Sequence, residues 1–199
     1  NRETKTTYVP LTTSRVVGSP DPPLPYRAVR VMPKLQLDLP IFLINQPGSE
    51  QLIFVDQPST TSKSRICRTA GGTNEEFEVL LELSDIVYSI AFHPDFGRNR
   101  YCYVCYIKAA NLDDGTHVAR FRMSDTDPPT IDAASETTLV TWRSGGHNGS
   151  CLKFGPDGCL YISTGDAAPA NPPDTMKTGQ DIGDLLSSIL RIDVDHADN

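Results

Sequence analysis

Beyond Leu35 the chain is a succession of short apolar runs, each closed within a few residues by Gly, Pro, Asp or Asn: LPIFLI, QLIFVD, FEVLLEL, YSIAF, YCYVCYI, HVARFRM, TLVTW, CLKF, CLYIS and ILRIDV. Runs of that length, rich in β-branched and aromatic residues and bounded by turn formers, predict strands and an all-β domain over residues 35–199. Helix is expected only near Gln180 to Ser187, where QDIGDLLS carries apolar residues at helical spacing despite Gly183. Residues 1–34 read differently. The run SPDPPLPYRAVRVMPK is dense in proline and has no periodicity, which predicts an extended arm or linker without helix.

The strand pattern also repeats. IAFHPDFGRNRYCYVCY and LKFGPDGCLYIST share an apolar-x-Phe entry, a Pro-Asp pair, a glycine-bearing turn and a tyrosine-containing strand, with Pro94 and Pro156 62 positions apart. Within Gln36 to Asp56, the run LINQPGSEQLIFVD reads as an earlier, degenerate copy. A β-rich unit recurring at this interval, with about four short strands in each, fits propeller blades better than one sandwich. The chain holds roughly three such units, fewer than the ~4 blades a closed propeller needs, so an incomplete propeller is expected.

Charge and composition remove other classes. Eighteen basic against 25 acidic residues leave a net charge of −7, with no basic footprint for nucleic acid or anionic lipid. The apolar run Ile41 to Ile44 is far below the ~20 residues of a membrane-spanning helix. The chain starts at Asn1 with no signal-like segment, which leaves a removed leader and an excerpt both open. Its five cysteines sit mostly in strand-like runs and read as small buried hydrophobes. Cys102 and Cys105, three apart on a strand, face opposite sides and lack the partners of a haem or zinc motif.

The segment GGHNGSCLKFGPDGCLYISTGD concentrates the candidate chemistry. With Pro156 and Asp157 as a two-residue hairpin loop, Lys153 faces Leu160, Cys151 faces Ile162, Gly149 faces Thr164 and His147 faces Asp166. Facing Cβ atoms lie about 4.5–5.5 Å apart, so Asp166 would hold one ring nitrogen of His147 and leave the other as a base. A bulged three-residue turn slips this register by one and sets Asp166 opposite Asn148 instead. Glycines 145, 146 and 149 clear side-chain bulk around His147, as close approach of a ligand would require.

Other groups have quieter expectations. His93 is a turn-entry residue before Pro94, and Asp95 caps that turn. His117 reads as an exposed strand residue, and the terminal DVDHADN, lacking the glycine and glutamate of an EF-hand, as a solvated strand end. Arg191 either pairs with Asp193 or lines a cleft. Asn148-Gly149-Ser150 matches a glycosylation sequon, but a glycan there would block the site.

The run HNGSCLKFGPDGCLYISTGD, preceded by AFHPDFGRNRYCYVCY and followed by QDIGDLLSSILRIDVD, resembles the soluble glucose/sorbosone dehydrogenases, from about Leu35 to the end. The resemblance implies a six-bladed propeller using pyrroloquinoline quinone and calcium. It also implies oxidation of a sugar or polyol hydroxyl by an oxidoreductase in which His147 takes the hydroxyl proton as hydride passes to the quinone and Asp166 orients it. Asn148 is a candidate cofactor contact, with most cofactor and metal ligands expected outside this chain. A periplasmic or extracellular setting and a cytochrome c-like electron acceptor follow from the same resemblance, as does a haem c domain joined to the propeller in similar multidomain proteins. Two positions depart from the pattern: Ser84 stands where glucose-oxidising members carry glutamine, and Gly146 where an acidic residue can precede the base. The rival expectation is a non-catalytic propeller that binds carbohydrate or protein.

Overall fold

The computed structural model describes residues 29–59, 63–70, 76–172 and 174–196. The chain divides into a compact unit spanning Met32–Asn199 and a shorter one, Asn1–Val31. Residues 1–28 of the expected N-terminal arm lie outside the described residues.

The larger unit is built from three antiparallel sheets in which strands adjacent in sequence are adjacent in space. The first holds β1 (Pro40–Asn45), β2 (Leu52–Asp56), β3 (Ser64–Thr69) and β4 (Phe77–Leu83). The second holds β5 (Ile86–Phe92), β6 (Tyr101–Ile107), β7 (Thr116–Met123) and β8 (Ile131–Trp142). The third holds β9 (Leu152–Phe154), β10 (Leu160–Ser163) and β11 (Ile189–Ile192). The three sequence copies fall on the opening hairpins β1–β2, β5–β6 and β9–β10, so the repeat marks the start of each sheet.

The second sheet is covered on both faces. On one side Val87, Ile90, Phe92, Val104 and Phe121 pack against Ile53, Val55, Ile66 and Leu80 of the first sheet. On the other side Ala91, Tyr103, Val118 and Trp142 pack against Leu152, Leu160 and Ile162 of the third. This two-sided burial accounts for the near-continuous apolar run of β6, YCYVCYI, where a half-exposed strand would alternate. Cys102 joins the first core and Cys105 the second, on opposite faces as their spacing predicts. All five cysteines are free thiols, and Cys151 is the one exposed. Burial pushes the thiols of Cys102 and Cys105 up to about 12, so neither is a nucleophile at neutral pH. Each fully buried side chain of Leu or Ile size contributes about 1.5–3 kcal/mol to such a stack.

Three local expectations are corrected. Gln180 to Ser187 forms no helix beyond the end of a single 3-10 turn, Thr178–Gln180. Asp181 accepts a bond from Gly183 N–H and Asp184 from Leu186 N–H, both at 2.7 Å, and these side-chain turns replace the helical ladder. A one-turn helix, α1 (Phe96–Asn99), instead follows His93. Asp95 makes no side-chain cap there; His93 Nδ1 accepts the Asp95 N–H at 3.0 Å, and His93 Nε2 meets Asp195 at 3.1 Å, tying the second sheet to the end of the third.

His117 is buried rather than exposed, at 7% accessibility, and stacks on Tyr106 with ring centroids 5.3 Å apart. The cause is the second sheet's double cover: Tyr106 and His117 are cross-strand partners on the face turned to the first sheet. Burial and the nearby Lys108 hold the His117 imidazole below its ordinary value, outweighing Asp114 and Glu136. A histidine with a lowered folded-state pKa contributes stability above its unfolded value, lost as pH falls through the folded one. Thermal unfolding between pH 7 and pH 5 is therefore expected to show a steeper loss of Tm in the wild type than in His117→Gln.

Candidate active site

The hairpin that leads to the site has a three-residue loop. Gly158, at φ +80°, donates to Gly155 C=O at 3.1 Å, and Gly155 donates to Cys159 C=O at 2.9 Å. Phe154 therefore faces Leu160, Lys153 faces Tyr161 and Leu152 faces Ile162, which replaces the two-residue register with the bulged alternative. The physical reason is Gly158: a left-handed residue closing the turn adds one position to the loop. Continued unbroken, this register would set Asp166 opposite Asn148.

Two further irregularities follow, opposed to each other. Ser163 N–H bonds to Cys151 C=O at 3.1 Å but Gly165 N–H bonds to Asn148 C=O at 2.7 Å, so two residues on one strand span three on the other, with Gly149 at φ +58°. Ala167 N–H then bonds to His147 C=O at 2.9 Å, which leaves Asp166 as the extra residue on its own strand, ahead of Ala167 at φ +52°. The result is a contact between His147 Nδ1 and Asp166 Oδ1 at 3.2 Å. The pair that sequence counting pointed to is present, by a different register.

Asp166 Oδ1 also accepts the Ala168 N–H at 2.9 Å, which aims the carboxylate. A carboxylate only accepts, so the shared proton is assigned to His147 Nδ1 and the lone pair to Nε2. The His147 side chain is 50% exposed and that of Asp166 20%, so the aspartate stands behind the ring and the ring faces outward. An imidazole held in this way has the chemical capacity to take up a proton.

The glycines around His147 admit backbone. A Cβ on Gly145 would lie 1.8 Å from Ala167 C=O, and one on Gly165 would lie 2.1 Å from His147 C=O. The segments 145–149 and 165–168 are in backbone contact, with Gly146 N–H on Ala167 C=O and His147 N–H on Ala168 C=O, each at 2.9 Å. Sequence reading missed this interlock. Its signal was the glycines at 145 and 146, read as space for a ligand, together with Gly165 on the facing segment.

Asn148 is buried at 7% accessibility and its carboxamide bonds to its own loop, at Gly145 and Gly146. A cofactor contact or a glycan on that side chain would have to displace those bonds. Ser144 anchors the same loop from behind: its hydroxyl bonds Ala109 C=O at 2.5 Å, and Arg143 pairs with Asp113 at 2.5 Å. Ser84 is exposed before β5, at the end of the sheets from which the His147 loop also arises. Arg191 pairs with Asp157 at 2.8 Å rather than with Asp193, and it lines a surface pocket together with Arg120, Leu139, Val140 and Asp193. Asp193 bonds Asp195 N–H and His196 within its own loop.

Comparison with known proteins gives this geometry a context. Residues 75–198 match the family model described as Glucose / Sorbosone dehydrogenase. Hedgehog-interacting protein of Mus musculus is 32% identical over 115 residues, covering 54% of this chain and 16% of that protein. HIPL2 protein of Arabidopsis thaliana is 27% identical over 192 residues, covering 77% of this chain and 27% of its own length. The PQQ-bound aldose sugar dehydrogenase of Streptomyces coelicolor superposes with a TM-score of 0.63 at 22% identity, over 81% of this chain and 46% of that one. The chain thus spans less than half the length of each relative. The structural likeness is one of fold, and it makes the three sheets blades of a β-propeller type.

The interlock yields a prediction. Gly145→Ala forces a methyl into the Ala167 carbonyl, and denaturant unfolding is expected to show a loss of about 1–3 kcal/mol.

Proposed function

The chain belongs to the glucose/sorbosone dehydrogenase family, and on that premise we propose that it forms the base-bearing part of a quinone-dependent oxidoreductase acting on a sugar or polyol hydroxyl. The observation that carries the reading is the His147–Asp166 bond, behind an imidazole whose side chain is half exposed. Asp166 keeps the proton on Nδ1 and offsets the positive charge that arises when Nε2 takes the hydroxyl proton. Backbone bonds from Gly146 and His147 to Ala167 and Ala168 hold the ring in place before substrate arrives.

Among the described residues no group of three or more His, Cys, Asp or Glu is placed to hold a metal ion. Arg143 and Arg191 are engaged by Asp113 and Asp157. Pyrroloquinoline quinone and calcium enter the proposal through family membership. A sugar or polyol substrate, a cytochrome c-like acceptor and a periplasmic or extracellular setting belong to the same proposal. Among the described residues no helix is long and apolar enough to cross a membrane.

A second reading is a propeller that binds carbohydrate or protein without catalysis. It is favoured by the similarity to Hedgehog-interacting protein and by Ser84 at the position where a glutamine was expected. Dye-linked oxidation by the full-length protein, supplied with calcium and the quinone, separates the two. Under the catalytic reading His147→Ala loses about 10²–10⁴-fold in rate. Asp166→Asn loses rate as well, because the ring is no longer held in one tautomer. Equal rates in wild type and His147→Ala would remove the base assignment, and an inert wild type with cofactor bound would favour the binding module.

A further inference from the structure

Gly145 and Asn148 are buried, whereas Gly146 and His147 between them are exposed. The segment is therefore a two-residue tip on a buried base, and the base is closed by one side chain. Asn148 Oδ1 accepts the Gly145 N–H at 2.6 Å, and Asn148 Nδ2 donates to the Gly145 C=O at 2.9 Å and to the Gly146 C=O at 3.5 Å. The carboxamide does for Gly145 what a facing peptide group would do in a ladder. Buried backbone donors and acceptors need such partners. The amide orientation is unambiguous, since Gly145 offers one donor and one acceptor and the carboxamide matches both.

The neighbouring contacts do not replace this pair. Ser144, just before it, is bonded to Ala109 and Leu112 in the loop between β6 and β7. Gly146 and His147 are bonded through their backbones to Ala167 and Ala168. Gly145 lies between these two anchorages, at the bend from the second sheet's last strand into the site. Its Cα has no room for a side chain beside Ala167, so the bend can be held only through its backbone polar groups.

We infer that Asn148 is a positioning residue for His147: its carboxamide pinches residues 145–148 into the tip that sets the imidazole against Asp166. The inference rests on the reading of His147 as the base for its catalytic consequence, but its geometric content stands apart from activity. Asn148→Ala removes both halves of the amide pair. Asn148→Asp keeps an acceptor for Gly145 N–H and loses the donor to Gly145 C=O.

The test uses the full-length protein with three measurements. In the wild type, hydrogen exchange at Gly145 is expected to be slowed on the order of 100-fold or more relative to exposed loop amides, as a hydrogen-bonded buried amide requires. In Asn148→Ala that protection is lost, and the nitrogen resonances of the His147 ring move from one tautomer toward a mixture. If the protein oxidises substrate, kcat falls on the order of 10-fold or more, KM changes less, and the acid limb of the pH–rate profile shifts. Asn148→Asp falls between the two. Fast exchange at Gly145 in the wild type would overturn the inference. So would an Asn148→Ala protein whose His147 resonances and pH profile match the wild type. An inactive wild type would count against the base reading alone, because exchange and ring resonances still decide the positioning role. Should Asn148→Ala not fold, wild-type exchange and the Asn148→Asp ring resonances decide it.

Discussion

Backbone-to-backbone contact between residues 145–149 and 165–168 governs where the side chains of the candidate site lie. With a Cβ at Gly145 or Gly165 the two segments could not approach, and the bonds from Gly146, His147 and Ala167 across the gap could not form. His147 and Asp166 meet because of this approach; neither is drawn to the other through a regular ladder. Peptide groups are rigid and strongly directional, so an interlock made of them positions a ring more tightly than side-chain packing alone.

The interlock in turn needs a fixed platform, which the second sheet provides by being buried on both faces. Trp142 ends its last strand within the core shared with the third sheet, and the chain reaches His147 five residues later. On one side of the site the platform is the loop between β6 and β7, held through Ser144; on the other it is the hairpin β9–β10. His93 adds a clasp between the second and third sheets through Asp195. The site therefore lies at a junction of two blades, where small changes in blade spacing would be felt by the His147 ring.

Family membership and geometry bear on different halves of the proposed reaction. The geometry concerns the proton: a half-exposed imidazole, a carboxylate behind it and a backbone frame around both. In the proposal, the electron acceptor and the metal rest on family membership alone. Hedgehog-interacting protein, 32% identical over 115 residues, carries a name that speaks of interaction rather than oxidation.

From the sequence by itself came the all-β character, the three-fold recurrence of an opening hairpin, and the run around His147 as the candidate site. These are legible because they depend on neighbours in the chain: apolar spacing sets strands, and Pro-Asp-Gly combinations set turns. Tertiary structure alone decided the rest. The register at the site is the sum of a turn bulge at Gly158 and two opposed irregularities at Gly149 and Asp166, whose combined effect depends on how the third sheet seats on the second. His117 became buried because a second blade covers its face, and Asn148 turned inward because Gly145 had no other partner for its backbone. Burial and pairing are set by residues distant along the chain, and for that reason local pattern could name the residues of this site but not arrange them.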